Sequence, residues 1–375
     1  MKDICDILKA ERRVIYMNIN KDASFDLVAL GEVMLRFDPG ENRVRNARSF
    51  TVWEGGGEYN VARALSKCFR LKTAVATALC RNDVGFLIED LIMQGGVDTS
   101  LIQWKPFDKI GKDCRNGLNF VERGFGLRGA KSTSDRGHTA VSQIKEGDFD
   151  WDAVFSKGVR VFHTGGIFCA LSGSTAKAAL EAVRKAGEYG ALVSFDFNYR
   201  PSLWACLENA DEVKKTIGEI LKYTDIVFGN EFDFVNVLGF EGEKGTDLDV
   251  HDDERYLRFM NKVTEKFPNI KLIATTVRTV HSASCNSLRA VCVRDKKLIL
   301  SDCFEKLDVL DRIGSGDSFA SGFLFSLLSG KNEEDALSFA LAHAAFAMTT
   351  PGDTSMATRE DIENIVNKKT AKVVR

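Results

Sequence analysis

Short apolar runs separated by helix-patterned segments constrain this chain more than any other feature of its sequence. The runs fall at 25–33, 73–79, 159–163, 191–196, 225–228 and 271–277, and several are rich in β-branched residues. Between them lie segments with apolar residues at three- and four-residue steps: one following Gly55-Gly56-Gly57, and others at 83–95, 173–189, 209–222 and 254–266. A strand that is apolar along its whole length is buried on both faces. Strands that alternate with helices pair in parallel, because each helix carries the chain back to the same edge. The spacing therefore predicts an α/β fold, a mostly parallel sheet covered by helices on both faces. A hairpin-like pair follows near 288–303. The last unit is a Gly-Ser-Gly turn with a helix to Leu328 and a second helix over 333–348.

Two segments break the rhythm. Residues 36–54 are polar and arginine-bearing, and 101–148 are rich in Gly, Arg, Asn and Ser with short alternating pieces. Both adjoin glycine-rich loops and are expected to form a small β-sheet lid inserted in one domain over 25–375, behind an N-terminal extension over 1–24. Basic and acidic residues nearly cancel, 51 against 53, for a net charge of −2. That balance argues against nucleic acid or a membrane surface as the partner and toward a small molecule. No apolar run reaches the length of a membrane span. The nine cysteines include no Cys-x-x-Cys pair, which fits reduced thiols in a cytoplasmic protein and no structural zinc.

Three clusters carry chemistry. The first is Asp311-Arg312-Ile313-Gly314-Ser315-Gly316-Asp317, set before an apolar helical stripe of Phe319, Phe323, Leu324, Leu327 and Leu328. A helix that begins at such a turn presents free backbone N–H groups at its positive end, a ready anion site. Asp317 in the first turn is then placed to accept a hydroxyl proton beside a bound phosphate. The plainer alternative is an N-capping turn. The second cluster is Gly55-Gly56-Gly57-Glu58-Tyr59-Asn60, where glycines let a polar ligand approach the backbone and Asn60 offers both a donor and an acceptor. The third, Asp196-Phe197-Asn198-Tyr199-Arg200, follows a buried run and so lies at a strand's carboxyl end. Arg200 there can clamp a carboxylate or phosphate. The P-loop, the dinucleotide fingerprint and the protein-kinase signatures are all absent.

The Asp-x-x-Gly-Ser-Gly-Asp run resembles the C-terminal signature of ribokinase-like (PfkB-type) carbohydrate kinases. Gly55-Gly56 followed by Asn60 fits their N-terminal glycine signature. The resemblance spans about 25–365. Within the family, Asp196 to Trp204 and the tail Thr350-Pro351-Gly352-Asp353 look like 2-keto-3-deoxygluconate kinases. The resemblance implies ATP, Mg²⁺ and transfer of the γ-phosphoryl group to a hydroxyl of a keto-deoxy sugar acid. It makes Asp317 the base, and gives the N–H groups of Gly314, Ser315 and Gly316 the anion hole. Gly55, Gly56, Asn60, Arg136 and Arg200 fall on the substrate side. Asn230, Asp311, Gly314, Gly316 and His343 fall on the nucleotide side, and Asp233 near Mg²⁺ through water. A homodimer joined through the lid is a further expectation. Three features depart from the family pattern: Asp135 stands where a tyrosine is usual ahead of Arg136, the nucleotide loop at 278–285 lacks glycine, and 115–136 is longer and richer in arginine than a minimal lid. A neutral-sugar kinase and a non-catalytic sugar-binding protein on the same fold stay open as alternatives.

Overall fold

A computed structural model of the chain describes residues 22–242 and 252–368. Its strands are β1 (Phe25–Leu30), β2 (Met34–Asp38), β3 (Thr51–Gly55), β4 (Thr73–Cys80), β5 (Ile102–Lys105), β6 (Leu118–Glu122) and β7 (Lys131–Asp135). These are followed by β8 (Val159–Gly165), β9 (Leu192–Asp196), β10 (Ile226–Phe228), β11 (Leu272–Ser282), β12 (Cys285–Arg294) and β13 (Lys297–Asp308). Nine of them form one sheet in the order β13-β12-β11-β10-β9-β8-β1-β4-β5. From β11 to β5 every neighbouring pair is parallel, while β12 and β13 add an antiparallel hairpin.

Strand β1 shows why the sheet is covered twice. Val28 and Leu30 join one buried cluster with Phe162, Phe195, Ala179 and Ile217, under the helices Gly173–Glu188 and Ala210–Leu221. Leu27 and Ala29 join another with Val161, Leu65, Phe323 and Leu337, under Gly57–Lys67, Ser315–Leu328 and Glu333–Ala347. Alternate residues of one apolar strand thus feed two separate cores.

The remaining four strands make a second sheet in the order β3-β2-β6-β7. It draws on both segments that break the α/β rhythm, and its outer strand β7 is polar and exposed along its length. The 101–148 segment divides, however. Ile102–Lys105 pairs with β4 as the edge of the large sheet, and Val141 and Ile144 are buried in the first core cluster. Apolar side chains at those positions gain more from the main core than from a half-exposed sheet. Residues 278–282, expected within a nucleotide loop, instead extend β11 and pair with β12 as Arg278↔Leu288, Thr279↔Ser287 and Val280↔Asn286. With no glycine and with β-branched Thr279 and Val280, the stretch favours a ladder over a loop. The small sheet touches the tip of this hairpin, where Gly126 accepts from the Ala283 N–H (2.9 Å) and donates to Ser284 Oγ (3.1 Å).

The expected N-terminal extension lies, up to residue 21, outside the described residues. Among the described residues no helix is long and apolar enough to cross a membrane, and every cysteine is a free thiol.

Phe323 is fully buried and packs edge-on to Phe228 across the helix–sheet boundary, with ring centroids 6.1 Å apart. Phe323→Ala is expected to cost about 3–5 kcal/mol, by lost transfer energy and the cavity left behind. Denaturant unfolding followed by far-UV circular dichroism measures it; a loss under about 1 kcal/mol contradicts the placement of this core.

Candidate active site

The three sequence clusters meet at one edge of the large sheet. Gly57 opens the helix Gly57–Lys67, Asp196 ends β9, and Ser315 opens the helix Ser315–Leu328. A Cβ placed on Gly57 would lie 3.1 Å from Asn198 Nδ2 and 3.8 Å from Asp317 Oδ1. Asn60 Nδ2 donates to Asp317 Oδ2 at 2.7 Å. Gly56 packs so closely on the chain after β1 that a Cβ would come within 1.8 Å of the Glu32 carbonyl oxygen. Gly55, the last residue of β3, lies against Asp353.

At the Gly-Ser-Gly turn, Gly314 caps the helix with φ 76°, a left-handed conformation that glycine adopts without steric cost. A Cβ there would also strike the Asp353 carbonyl oxygen at 1.9 Å. Gly316 is the opposite case, because a Cβ on it would meet nothing within 4 Å and the turn is open on that side. The Ser315 hydroxyl donates to the Ala344 carbonyl, tying the turn to the neighbouring helix. The first N–H in the helical ladder is that of Ser318, bonded to Gly314 O at 2.8 Å. The N–H groups of Ser315, Gly316 and Asp317 precede it, as a helix start requires, and suit a phosphate.

Arg36 holds this turn from the small sheet. Its guanidinium is wholly buried and donates to Asp353 Oδ1 and Asp311 Oδ2, each at 2.5 Å, with Asp38 at 3.6 Å. Burial alone would lower its pKa, but Asp353 and Asp311 outweigh that and hold it above the ordinary value. Asp311 also accepts from the Ile313 and Gly352 N–H groups. Both carboxylates that grip Arg36 therefore sit on the segments that bracket Gly314.

Carboxyl groups crowd the site. Burial pushes Asp317 up to about 7, against the stabilising Asn60 donor and the Arg200 charge. Burial likewise raises Glu58 to about 7, helped by the charges of Asp317 and Glu32. One Glu58 oxygen accepts from the Phe168 N–H, while the other is buried without a hydrogen-bond partner. Asp196 is held well above the usual carboxylate range by burial and by Asp317 and Asp233. Asp233 is raised by burial. A buried carboxyl with a pKa near neutrality can exchange a proton at working pH.

Other residues singled out in the sequence sit differently. Among the described residues Arg200 donates to the carbonyl of the adjacent Tyr199, and its charge bears on Asp196, Asp233 and Asp317. Arg136 is gripped by Glu32, which accepts from its Nε at 2.9 Å and from its Nη2. Asp135 points away to Arg115. Asn230 and Asp233 form a reciprocal capping box at the start of the helix Glu231–Leu238. His343 does not face the site. It is fully buried between Ser321 and Ser355 Oγ beside the Phe69 ring, and burial lowers its pKa to about 4. Its place in an Ala- and Leu-rich helix that is buried nearly all round explains why. Among the described residues no group of three or more His, Cys, Asp or Glu could hold a metal ion by itself. Asp196 and Asp233 at the site offer carboxylate oxygens, the donor type that a hydrated Mg²⁺ takes. Arg36, Glu32, Glu58 and Asp353 escaped notice as site residues. Glu58 and Asp353 each stood inside a quoted motif, Glu58 in the run behind the glycines and Asp353 at the end of the Thr-Pro-Gly-Asp tail.

The sequence pattern of the pfkB family carbohydrate kinases matches residues 24–360. The chain belongs to that family. A 2-dehydro-3-deoxygalactonokinase of Haloferax volcanii is 26% identical over 342 residues, 91% of this chain and 96% of that protein. A 5-dehydro-2-deoxygluconokinase of Clostridium perfringens is 26% identical over 357 residues, 94% and 96% of the two chains. The crystal structure of a 2-dehydro-3-deoxygluconokinase from Thermotoga maritima superposes with a TM-score of 0.82 at 32% identity, covering 91% of this chain and 99% of that one. This sugar kinase is therefore similar along nearly its whole length to enzymes named for several different acceptors.

Removing the Arg36 charge leaves buried carboxylates uncompensated. Arg36→Met is expected to cost about 3–5 kcal/mol in denaturant unfolding, and a change within about 0.5 kcal/mol would show the network to be dispensable. Glu58 gives a pH signature. The folded carboxyl keeps its proton up to about 7, whereas an exposed glutamate loses it near about 4.3. Its contribution to folding is therefore full below the lower value and is lost as pH rises through the upper one. In thermal melts, Glu58→Gln should gain on the unsubstituted kinase steadily from about pH 5 to about pH 8. A constant offset across that range contradicts a buried, neutral Glu58.

Proposed function

We propose that this kinase transfers the γ-phosphoryl group of ATP to a hydroxyl of a keto-deoxy sugar acid, with 2-keto-3-deoxygluconate the first acceptor to try. The observation that carries the reading is Asp317: a buried carboxyl, near neutral pKa, in the first turn of a helix whose free N–H groups suit a phosphate. In its ionised form it takes the acceptor's hydroxyl proton as the oxygen attacks phosphorus. The N–H groups of Gly314, Ser315 and Gly316 hold the charge that develops on the phosphate oxygens. Asp311 shapes that turn through the Ile313 N–H and Arg36. Gly55 and Gly56 let the sugar approach the backbone, and Arg200 meets its carboxylate or the moving phosphoryl group. Asn230 and Asp233 sit on the nucleotide side. Mg²⁺, when bound, supplies charge neutralisation on the phosphates, with Asp233 the group to reach it through water. The small sheet acts as a lid that keeps water out. We also place the enzyme in the cytoplasm, as a homodimer joined through that sheet, where Phe37, Phe50 and Phe120 cluster with ring centroids 5.0–6.0 Å apart.

One observation favours a neutral sugar instead. Arg136 is already paired with Glu32, and Glu32, Glu58, Asp196, Asp233 and Asp317 together outnumber the nearby arginines. The intact turn and Asp317 argue against a protein that has lost its chemistry. Thermal shift with Mg²⁺–ATP and a panel of sugar acids and neutral sugars separates the readings, because a ligand stabilises what it binds. Stabilisation by neutral hexoses alone would overturn the sugar-acid assignment. Asp317→Asn is expected to lower kcat by about 10²–10⁴ with substrate KM values little changed. Near-normal turnover in that variant would remove Asp317 as the base.

A further inference from the structure

Two arginines beside the Gly-Ser-Gly turn are left without partners. Strand β11 outruns β10, whose last pairing with it is Phe228↔Ala274. Arg278 stands four residues past Ala274, about 13 Å along the strand and beyond the carboxyl end of β10, where open α/β sheets receive ligands. Leu272 and Ala274 share its face of β11, and Leu288 is its cross-strand partner. All three belong to the core cluster under the helices Ser315–Leu328 and Glu333–Ala347. Alternation therefore turns Arg278 to the side on which the Gly-Ser-Gly turn opens its helix. Arg312 precedes that turn, in a stretch tied to the same hairpin by the Val309 N–H on Ser284 O at 3.0 Å. Its neighbour Asp311 is turned to Arg36 instead. Arg278 and Arg312 are both exposed, and among the described residues neither makes a hydrogen bond or an ion pair. Desolvation by the surrounding protein, and then the Arg312 charge, lower the pKa of Arg278, so the two guanidiniums feel one another.

Like charges brought together are unfavourable unless something negative joins them. The other arginines around the site already have their anions. Arg36, Arg123 and Arg136 are each set against a carboxylate, and the charge of Arg200 bears on Asp196, Asp233 and Asp317. Arg278 and Arg312 instead flank a turn with an open side, since a Cβ on Gly316 would meet nothing within 4 Å. A guanidinium presents a planar fork of N–H donors that matches phosphate oxygens in pairs. Residues 278–285 lack the glycines with which a backbone loop wraps phosphate, and Arg278 offers a side chain in their place. We propose that Arg278 and Arg312 clamp the phosphate chain of the nucleotide against the N–H groups of the Gly-Ser-Gly turn. The inference rests on the reading of that turn as the phosphate site. Each guanidinium takes phosphate oxygens that the turn leaves uncovered, and the anion in return relieves the repulsion between the two.

Calorimetry can compare the unsubstituted kinase with Arg278→Gln, Arg312→Gln and the double variant. The probes are ADP in excess Mg²⁺, pyrophosphate in excess Mg²⁺, and 2-keto-3-deoxygluconate. Each single substitution should weaken ADP and pyrophosphate binding about tenfold or more, and the double variant further. The Kd of the sugar should stay within about twofold. Without ligand, each variant should melt within about 2 °C of the unsubstituted kinase or above it, because an exposed, unpaired like charge has been removed. ADP affinity unchanged within about twofold in the double variant would overturn the clamp and leave the nucleotide reading standing. A loss confined to the sugar would make the arginines its carboxylate ligands, and would overturn the clamp too. So would a ligand-free melting temperature lowered by more than about 5 °C with all three probes weakened alike, which marks a structural role. Failure of the underlying reading looks different. Pyrophosphate bound through the two arginines, with no ADP bound by the unsubstituted kinase, would keep the clamp and remove ATP as the donor. An unsubstituted kinase that binds neither would overturn both.

Discussion

The buried guanidinium of Arg36 is the interaction on which the rest of the site depends. It reaches from β2 of the small sheet to Asp353 and Asp311, 317 and 275 positions further along the chain. Those carboxylates belong to the segments that close around Gly314, one through the Asp353 carbonyl lying against its Cα and the other through the Ile313 N–H. Burying charge in a protein interior is costly unless it is paired and hydrogen-bonded. Here the pairing also draws three distant stretches of backbone into one place. Arg123 at the neighbouring Asp38 extends the same network to the half-exposed surface.

Much of the fold was legible in the sequence because its signals are local. Apolar runs such as 159–163 and 191–196 can be satisfied only inside a covered parallel sheet. The glycines around Asp317 mark a place where backbone, not side chain, must meet a ligand or another strand. What escaped notice depends on pairing across the chain. No residue near Arg36 announces that its partners lie beyond residue 310. Ile102–Lys105 looks like a half-exposed strand until the edge of β4 is there to accept it. His343 occupies a position that looks polar in the sequence, but the helix around it is apolar on nearly every side. Arg136 reads as a substrate-side residue in the sequence, although Glu32, which holds it, lies inside a run that reads as plain core.

The charge pattern of the site has a logic of its own. Glu58, Asp196 and Asp317 have raised pKa values because they are buried together. Burial is the leading cause for each, and the neighbouring carboxylates add to it by making a second negative charge more costly. A carboxyl near neutrality is thus obtained by burial, while the described His163 and His343 are both buried and held low. The small sheet and the large one meet across this set, through Arg136 on Glu32 and Arg36 on Asp353.

The pair Asn60 and Asp317 is separated by 257 positions, and that distance has a consequence in time. During synthesis the first helix of the candidate site emerges long before the last, so the early chain carries Asn60 well before Asp317, its hydrogen-bond partner, exists. Contacts of such sequence separation form late and fold slowly, because long loops must close before they contribute. A chain cut between residues 282 and 311 keeps every parallel strand of the large sheet, yet it lacks Asp317, the Gly-Ser-Gly turn and the Asp311 and Asp353 partners of Arg36 together. These C-terminal parts of the candidate site therefore arrive together, after the sheet that carries the rest.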